Sequence, residues 1–159
     1  MSGVLYVATL ATALGCGLVA GVFFAFSSFV MASLKRLPPA QGIAAMQSMN
    51  ILAVTPAFMT ALFGTAAACL GFMVWAVISW GEPPATLGFC AGVLYLVGTI
   101  GVTMARNVPL NNRLAKLHTQ SANAAGYWHE YVTKWTGWNH LRTVAALVAA
   151  TLLTVAVHV

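Results

Sequence analysis

The chain has 159 residues, of which 60% are hydrophobic and 6% are charged, and its formal net charge is +5. Ordinary soluble domains are about 45–50% apolar and about 25% charged, so this composition excludes that class and is typical of an integral membrane protein. The basic residues lie beside two connections between apolar segments, which explains the charge as membrane topology and argues against nucleic-acid binding.

Four apolar segments are long enough to cross a bilayer, because about 20 apolar residues span the hydrocarbon. These segments lack the alternating apolar and polar pattern of an outer-membrane barrel and are rich in Ala, Leu and Met. We therefore predict an all-α integral membrane four-helix bundle that forms a single domain over residues 1–159. The predicted spans are residues 4–31, 51–80, 86–105 and 141–157.

The first connection and the start of the second span contain prolines that predict breaks. Pro38 and Pro39 end the first helix, and the residues after them show helical spacing, which predicts a short helix on the cytoplasmic side that leads into the second span. Pro56 lies inside the second predicted span. We expect a kink there, because proline removes a backbone hydrogen bond.

The third connection, at about 35 residues, is too long for a bare loop and is predicted to contain helices of its own. One helix is expected to begin near Pro109 with Asn107 as its cap. A further helix is expected to run into the fourth span, with Gly137 as its weakest point. We therefore predict short cytoplasmic-side helices in both the first and the third connections.

The basic residues predict the orientation of the bundle. All seven Lys and Arg residues fall in or beside the first and third connections, and none lies in the second connection or at a terminus. By the positive-inside rule, these two connections face the cytoplasm of a bacterial-type cytoplasmic membrane, and the N- and C-termini lie outside. The cytoplasmic ends of all four helices therefore lie at the same depth.

The stretch "KWTGWNHLRT" at residues 134–143 contains many polar and aromatic residues at the start of the last predicted span. On a helix, four of its residues share one face at spacings i, i+3, i+4 and i+7, namely Trp135, Trp138, Asn139 and Arg142. Trp128 extends this face upstream, and other polar residues are expected near the same depth: Gln47, Asn50, Asn107 and Asn111. Asparagine or arginine near hydrocarbon is unfavourable unless paired or hydrated, so this gathering predicts a site at the cytoplasmic face, with interfacial anchoring as the alternative.

The available side chains limit the chemistry of such a site. The two side-chain carboxylates, Glu82 and Glu130, are predicted on opposite sides of the membrane, which excludes paired-carboxylate catalysis and a di-iron carboxylate centre. His129 and His140 stand about 16 Å apart on a continuous helix and cannot hold one metal ion together, so no metal site is predicted. The cysteines lack metal-type spacing and are expected to be buried in apolar packing inside the spans.

The remaining groups are neutral hydrogen-bond donors, cations, aromatic rings and one well-placed imidazole. This set suits a flat aromatic ligand whose oxygen becomes anionic. The rings would stack on it, Asn and Arg would stabilise the anion, and His140 would transfer a proton near neutral pH.

Four segments of the sequence resemble the anthrone oxygenase-like family of small four-helix membrane proteins: "GVFFAFSSFVMASLKRLPPAQGIAAMQSMN", "TPAFMTALFG", "RNVPLNNRLA" and "WHEYVTKWTGWNHLRT". The likeness covers nearly the whole chain, and its most specific elements are "NVPLN" and "W..WNH.RT". It implies that the motif positions are Asn50, Asn107, Pro109, Asn111, Trp135, Trp138, Asn139, His140 and Arg142. Some members of this family are assigned to the oxidation of anthrones to anthraquinones.

The resemblance leads to a working hypothesis of a membrane-embedded oxygenase that uses dioxygen and a small aromatic substrate, without a tightly bound cofactor. His140 is expected to be the base. The anion stabilisers are expected to be Arg142, Asn139 and Asn107, and the substrate-binding residues Trp135, Trp138, Asn50, Asn111, Gln47 and Trp128.

Two alternatives remain open at this point. The first is a redox membrane subunit that binds quinone, or haem through His140 or His129. The second is a non-enzymatic accessory or small-molecule-binding membrane protein. Small residues every fourth position on the first helix favour packing inside the bundle over a dimer interface, and a homo-oligomer is the alternative.

Overall fold

The computed structural model describes residues 2–159 and is helical, with no strand in that range. Four of its helices are long and apolar enough to cross a membrane, and a shorter helix precedes the second of them. The predicted all-α membrane bundle is therefore confirmed. In chain order, the helices are α1 (Gly3–Lys35), α2 (Pro39–Leu52), α3 (Pro56–Ile78), α4 (Pro83–Ala115) and α5 (Ala124–Ala156).

The second span begins later than predicted, because the chain breaks between α2 and α3 instead of kinking. Pro56 is the first residue of α3. The backbone N–H groups of a first turn have no partner within the helix, so the missing N–H of proline costs no hydrogen bond there. Thr55 caps the new helix, and its Oγ1 accepts a hydrogen bond of 3.3 Å from the Phe58 amide. The predicted short helix in the first connection is α2, which stands apart from α3 at a corner formed by residues 53–55.

The third span extends well beyond its predicted end at residue 105, because α4 continues without a break to Ala115. A regular α-helical segment does begin at Val108, near the expected start at Pro109, but it continues the span and is not a separate helix. Asn107 occupies its N-cap position, and the side chain makes no cap hydrogen bond, so its expected capping role is wrong. A π-helical turn over Thr103–Asn107 ends two residues before Pro109. Its wider turn accommodates a proline ring that would clash inside a regular α-helix.

The last span is one helix of 33 residues that starts well before the predicted residue 141 and passes through Gly137 without interruption. The expectation that one helix runs from the third connection into the fourth span is confirmed. At about 1.5 Å per residue, α5 is about 50 Å long and exceeds a hydrocarbon core of about 30 Å. The aromatic segment at its start therefore extends beyond the apolar part of the bundle.

Helix α5 packs against α1, α2 and α4, whereas α3 packs against α1 and α4. One buried cluster fills the middle of the bundle and includes Phe23, Leu62 and Tyr95. A second cluster fills the end that carries α2 and includes Met31 and Trp135. We call this second end the basic end, because the cationic residues of the first and third connections lie there.

The cysteines lie in different surroundings. Cys16 of α1 and Cys69 of α3 are buried in the central cluster with their Sγ atoms 4.0 Å apart, although they are far apart in the sequence. Their predicted apolar packing is confirmed. Cys90 is exposed, so for this residue the prediction is wrong, because it lies on an outer face of α4.

Candidate functional site

The guanidinium of Arg142 lies inside the bundle, with only 6% of the residue exposed. Its Nε donates a hydrogen bond of 2.8 Å to Asn139 Oδ1, and its Nη1 donates one of 3.3 Å to Thr103 Oγ1. About 21 Å of helix separates Arg142 from the end of α5 at Ala156, which places the cation within the depth of a hydrocarbon core.

No carboxylate balances this cation within residues 2–159. The ion pair in that range joins Lys134 to Glu130 at 2.9 Å on the exposed face of α5. Among the hydrogen bonds of the same residues, none uses Nη2 of Arg142. A guanidinium carries five N–H donors, so the side chain retains free donors as well as an uncompensated charge.

Two aromatic rings flank the Arg142 guanidinium. Its Cζ lies 3.9 Å from the ring centroid of Phe23 and 4.9 Å from that of Trp135. Each cation–π contact contributes about 0.5–2 kcal/mol, whereas burial of an ion costs several kcal/mol. The rings therefore offset only part of the free-energy cost of desolvating the guanidinium. The remaining cost favours binding of an anion beside it.

Asn139 fixes the position of Arg142 and ties α5 to α1. Its Nδ2 donates hydrogen bonds of 2.7 Å to the Phe23 carbonyl and 2.6 Å to Ser27 Oγ, while its Oδ1 accepts from Arg142. Both ends of the amide are occupied, and the residue is fully buried. Asn139 therefore orients the cation and leaves no group free to contact a ligand.

A cavity of about 170 Å³ lies beside Arg142, which forms part of its lining. Its polar lining consists of Asn50, Thr103, Asn111 and Arg142. Most of its wall is apolar and is formed by residues such as Val22, Phe23, Phe26, Met49, Phe58, Leu62 and Trp135. Ala53 and Val54, which are exposed at the corner between α2 and α3, mark its mouth.

Asn111 presents a hydrogen-bond donor to this cavity. Its Oδ1 accepts two hydrogen bonds of 2.8 Å, one from the Tyr131 hydroxyl and one from Trp135 Nε1. Because both partners are donors, the amide orientation is fixed, and no hydrogen bond among residues 2–159 uses Nδ2. Asn50 lines the cavity beside it and interacts with the Tyr131 hydroxyl. The cavity is therefore rich in donors.

The structure brings four of the predicted site residues to the cavity: Asn50, Asn111, Trp135 and Arg142. Asn139 lies behind Arg142. Asn107 is buried and donates a hydrogen bond of 3.2 Å from Nδ2 to the Trp135 carbonyl, while its Oδ1 has no partner among residues 2–159. Asn107 thus supports the backbone of α5 and does not line the cavity.

His140 lies on the outside of the bundle, so the expected meeting of this imidazole with Arg142 does not occur. The residue is exposed and lines shallow grooves between α1 and α5 that include Ser27. Two residues along an α-helix correspond to a rotation of about 200°, so His140 and Arg142 face opposite sides of α5. His129 is exposed as well.

Three other predicted site residues have structural contacts outside the cavity. Trp138 is half-buried, and the Arg106 guanidinium lies 4.8 Å from its ring centroid. Trp128 is buried and stacks on Tyr131 with the ring centroids 5.7 Å apart. Gln47 donates from Nε2 to the carbonyls that end α4, those of Leu114 and Leu117.

Two residues of the site, Phe23 and Thr103, were missed at the level of sequence. Phe23 stands in an apolar run of α1 and Thr103 in an apolar run of α4, so neither departs from the pattern of a membrane span. No sequence signal marks either residue, but in the structure both lie close to a π-helical turn, a feature that is frequent at functional sites. The turn over Thr103–Asn107 begins at Thr103 itself, and the turn over Phe26–Val30 begins three residues after Phe23.

A family model described as anthrone oxygenase matches residues 55–152, which is more than half of the chain and includes Thr103, Asn111, Trp135 and Arg142. No curated protein and no solved structure gives a significant match.

Proposed function

The chain belongs to the anthrone oxygenase family, and we propose that it is a membrane-embedded oxygenase acting on a flat aromatic ketone or phenol whose oxygen becomes anionic. The observation that carries this proposal is the buried Arg142 guanidinium, which faces an apolar cavity without a carboxylate partner in residues 2–159.

The donors of the cavity favour an anionic oxygen. Arg142 Nη2 and Asn111 Nδ2 are both free to donate, and they belong to a site with apolar walls. Charge–dipole and charge–charge interactions are stronger in such surroundings than in water, and donors fixed before the reaction need no reorganisation. Binding therefore shifts an enolisable ketone toward its enolate.

The walls of the cavity suit the aromatic part of such a substrate. Trp135, Phe23 and Phe58 provide ring faces or edges, and Met49 and Met59 provide adaptable apolar surface. A flat ring can insert between these side chains while its oxygen meets the guanidinium.

The proposed reaction oxidises the benzylic CH2 of an anthrone-type ketone. The substrate first loses one proton, and the delocalised anion then transfers one electron to dioxygen. The resulting radical and superoxide combine to form a carbon–oxygen bond, and the peroxide anion takes up a proton. Loss of the second benzylic proton with cleavage of the O–O bond gives the quinone carbonyl and one water, so that CH2 and O2 become C=O and H2O.

The electrons in this scheme come from the substrate anion, and the scheme therefore requires no tightly bound cofactor. The lining of the cavity holds no histidine or carboxylate, so the proton passes to water at the mouth beside Val54. His140 then has no role as the base. The partners are the substrate, dioxygen and the lipid bilayer.

The membrane orientation is part of the same proposal. The four apolar helices support an integral membrane protein. The basic residues at the α2 end favour a cytoplasmic location for the mouth of the cavity, with both termini on the other side.

The test uses the purified full chain in detergent with anthrone, and it follows oxygen uptake and quinone absorbance. Arg142→Gln is expected to lower kcat/KM by about 100-fold, the effect of removing one donor from a preorganised oxyanion site. The matched control, His140→Gln, changes a nearby polar residue outside the cavity and should keep wild-type turnover.

Three outcomes contradict the proposal. Equal turnover by Arg142→Gln and wild type would show that Arg142 does not stabilise an anion in the reaction. Binding of anthrone without oxygen uptake favours a carrier or accessory protein. A stoichiometric Soret band in the purified protein favours a haem-binding redox subunit.

A further inference from the structure

We infer that the binding site has two chambers, and that an outer chamber between α2 and α4 holds the part of the substrate's ring system that the inner cavity does not contain. This inference rests on the proposed function. The outer chamber has a volume of about 480 Å³ and lies at the basic end of the bundle.

Two matching stripes of side chains form the outer chamber. Gln47, Asn50, Ile51 and Val54 come from α2 and the corner after it. Val108, Asn111, Asn112 and Ala115 come from the last turns of α4. Both sets follow the spacing i, i+3, i+4 and i+7, which places each set on one side of its segment.

The outer chamber and the inner cavity share part of their walls. Asn50, Val54 and Asn111 line both, so they form a neck through which one molecule can occupy both spaces. Asn111 is held at this neck by its hydrogen bonds from Tyr131 and Trp135. Its free Nδ2 therefore stands at the boundary between the two chambers.

The volumes explain why a larger ligand needs both spaces. The inner cavity, at about 170 Å³, is close to the cavity of about 150 Å³ that accommodates one benzene-sized ligand. Small-molecule sites generally have about 300–1,000 Å³. The oxygen and the part of the ring system next to it fit beside Arg142, and the rest of a tricyclic substrate extends through the neck.

The lining of the outer chamber suits the outward part of an aromatic molecule. Ile51, Val54, Val108 and Ala115 provide apolar surface, and Gln47 and Asn112 provide amides. None of the lining residues carries a charge. Gln47 is held by hydrogen bonds of 2.8 and 3.1 Å to carbonyls of the α4 end, so this wall is fixed in place.

The test fills the outer chamber and compares two ligands. Ala115→Phe places a ring into the chamber from an exposed position at the end of α4. Ala105→Phe is the matched control, because Ala105 is an exposed alanine of the same helix that lines neither chamber. Binding is measured without oxygen, using para-nitrophenolate as the one-ring probe and anthrone as the tricyclic probe.

We expect Ala115→Phe to weaken anthrone binding by at least about tenfold and to leave para-nitrophenolate binding within about twofold of wild type. Ala105→Phe should change neither value. Asn112→Trp, which narrows the same chamber from another exposed position, should reproduce the selective loss if Ala115→Phe folds poorly. Equal losses for both probes, or no loss for anthrone in either variant, overturn the inference.

Failure of this inference is distinguishable from failure of the proposed function. If the selective loss appears but anthrone is not oxidised after oxygen is admitted, the two-chamber site stands and the oxygenase proposal falls. If anthrone is oxidised and Ala115→Phe acts equally on both probes, the oxygenase proposal stands and the outer chamber has no role in binding.

Discussion

Arg142 and Asn139 lie one turn apart on α5, and the hydrogen bond of 2.8 Å from Arg142 Nε to Asn139 Oδ1 holds the guanidinium at the wall of the inner cavity. The same asparagine is bonded to α1 through its Nδ2. A cation that has no carboxylate partner within residues 2–159 is thus positioned by neutral groups, which leaves its charge available to a ligand.

A carboxylate introduced beside Arg142 is expected to replace the anionic ligand. Thr103 Oγ1 lies 3.3 Å from Arg142 Nη1, so Thr103→Asp places a counter-ion within reach of the guanidinium. We expect the affinity for para-nitrophenolate to fall by at least about tenfold, as measured by absorbance titration. Thr103→Asn, a neutral residue of similar size, is the control and should retain most of the affinity. Wild-type affinity in Thr103→Asp would contradict the role of the uncompensated charge.

The donor of Asn111 can be removed without loss of its two acceptor contacts. Asn111→Asp keeps an oxygen for the Tyr131 hydroxyl and Trp135 Nε1 but turns a carboxylate oxygen toward the cavity. Repulsion should lower the affinity for para-nitrophenolate by about tenfold or more. Asn112→Asp adds the same charge at the exposed neighbouring position, and a much smaller effect is expected there. Equal losses of affinity in the two variants would show that any negative charge at this end of α4 weakens binding, whether or not it faces the cavity.

Asn139 is expected to contribute to stability as well as to the position of Arg142. Asn139→Ala removes the hydrogen bonds to the Phe23 carbonyl, Ser27 and Arg142. We expect a loss of about 1–3 kcal/mol in the free energy of unfolding, measured by denaturant titration in detergent micelles. Asn112→Ala, at an exposed asparagine, should change it by less than about 0.5 kcal/mol. A stability equal to wild type in Asn139→Ala would indicate that water replaces these contacts.

Gly42 allows α2 to pack closely on the aromatic segment of α5. A Cβ at this position would lie 2.8 Å from Trp128 Cζ2, so Gly42→Ala forces Trp128 or α2 to move. We expect a destabilisation of about 1–3 kcal/mol and a shift of the tryptophan fluorescence. Gly126→Ala, where an added Cβ meets nothing within 4 Å, should instead stabilise the helix by about 0.5–1 kcal/mol. A Gly42→Ala variant as stable as wild type would show that this contact relaxes freely.

The sequence by itself determined the class of the protein and indicated most of the polar residues of its candidate site. Composition and span length decided the all-α membrane bundle, because hydrocarbon requires every backbone group to be paired within a helix. The dense polarity at residues 134–143 identified Trp135 and Arg142, since such residues are unfavourable in a span without a compensating role. The asparagines at positions 50 and 111 were found for the same reason.

Only the tertiary structure decided which of these groups meet. His140 and Arg142 are two residues apart in the sequence, yet the rotation of α5 places the first outside the bundle and the second beside the cavity. Phe23 and Thr103 contact Arg142 because α1 and α4 pack against α5. They lie 119 and 39 positions before Arg142, so no local sequence pattern marks these contacts. Helical periodicity predicts which residues share a face, but the direction of that face is set by packing against neighbouring helices.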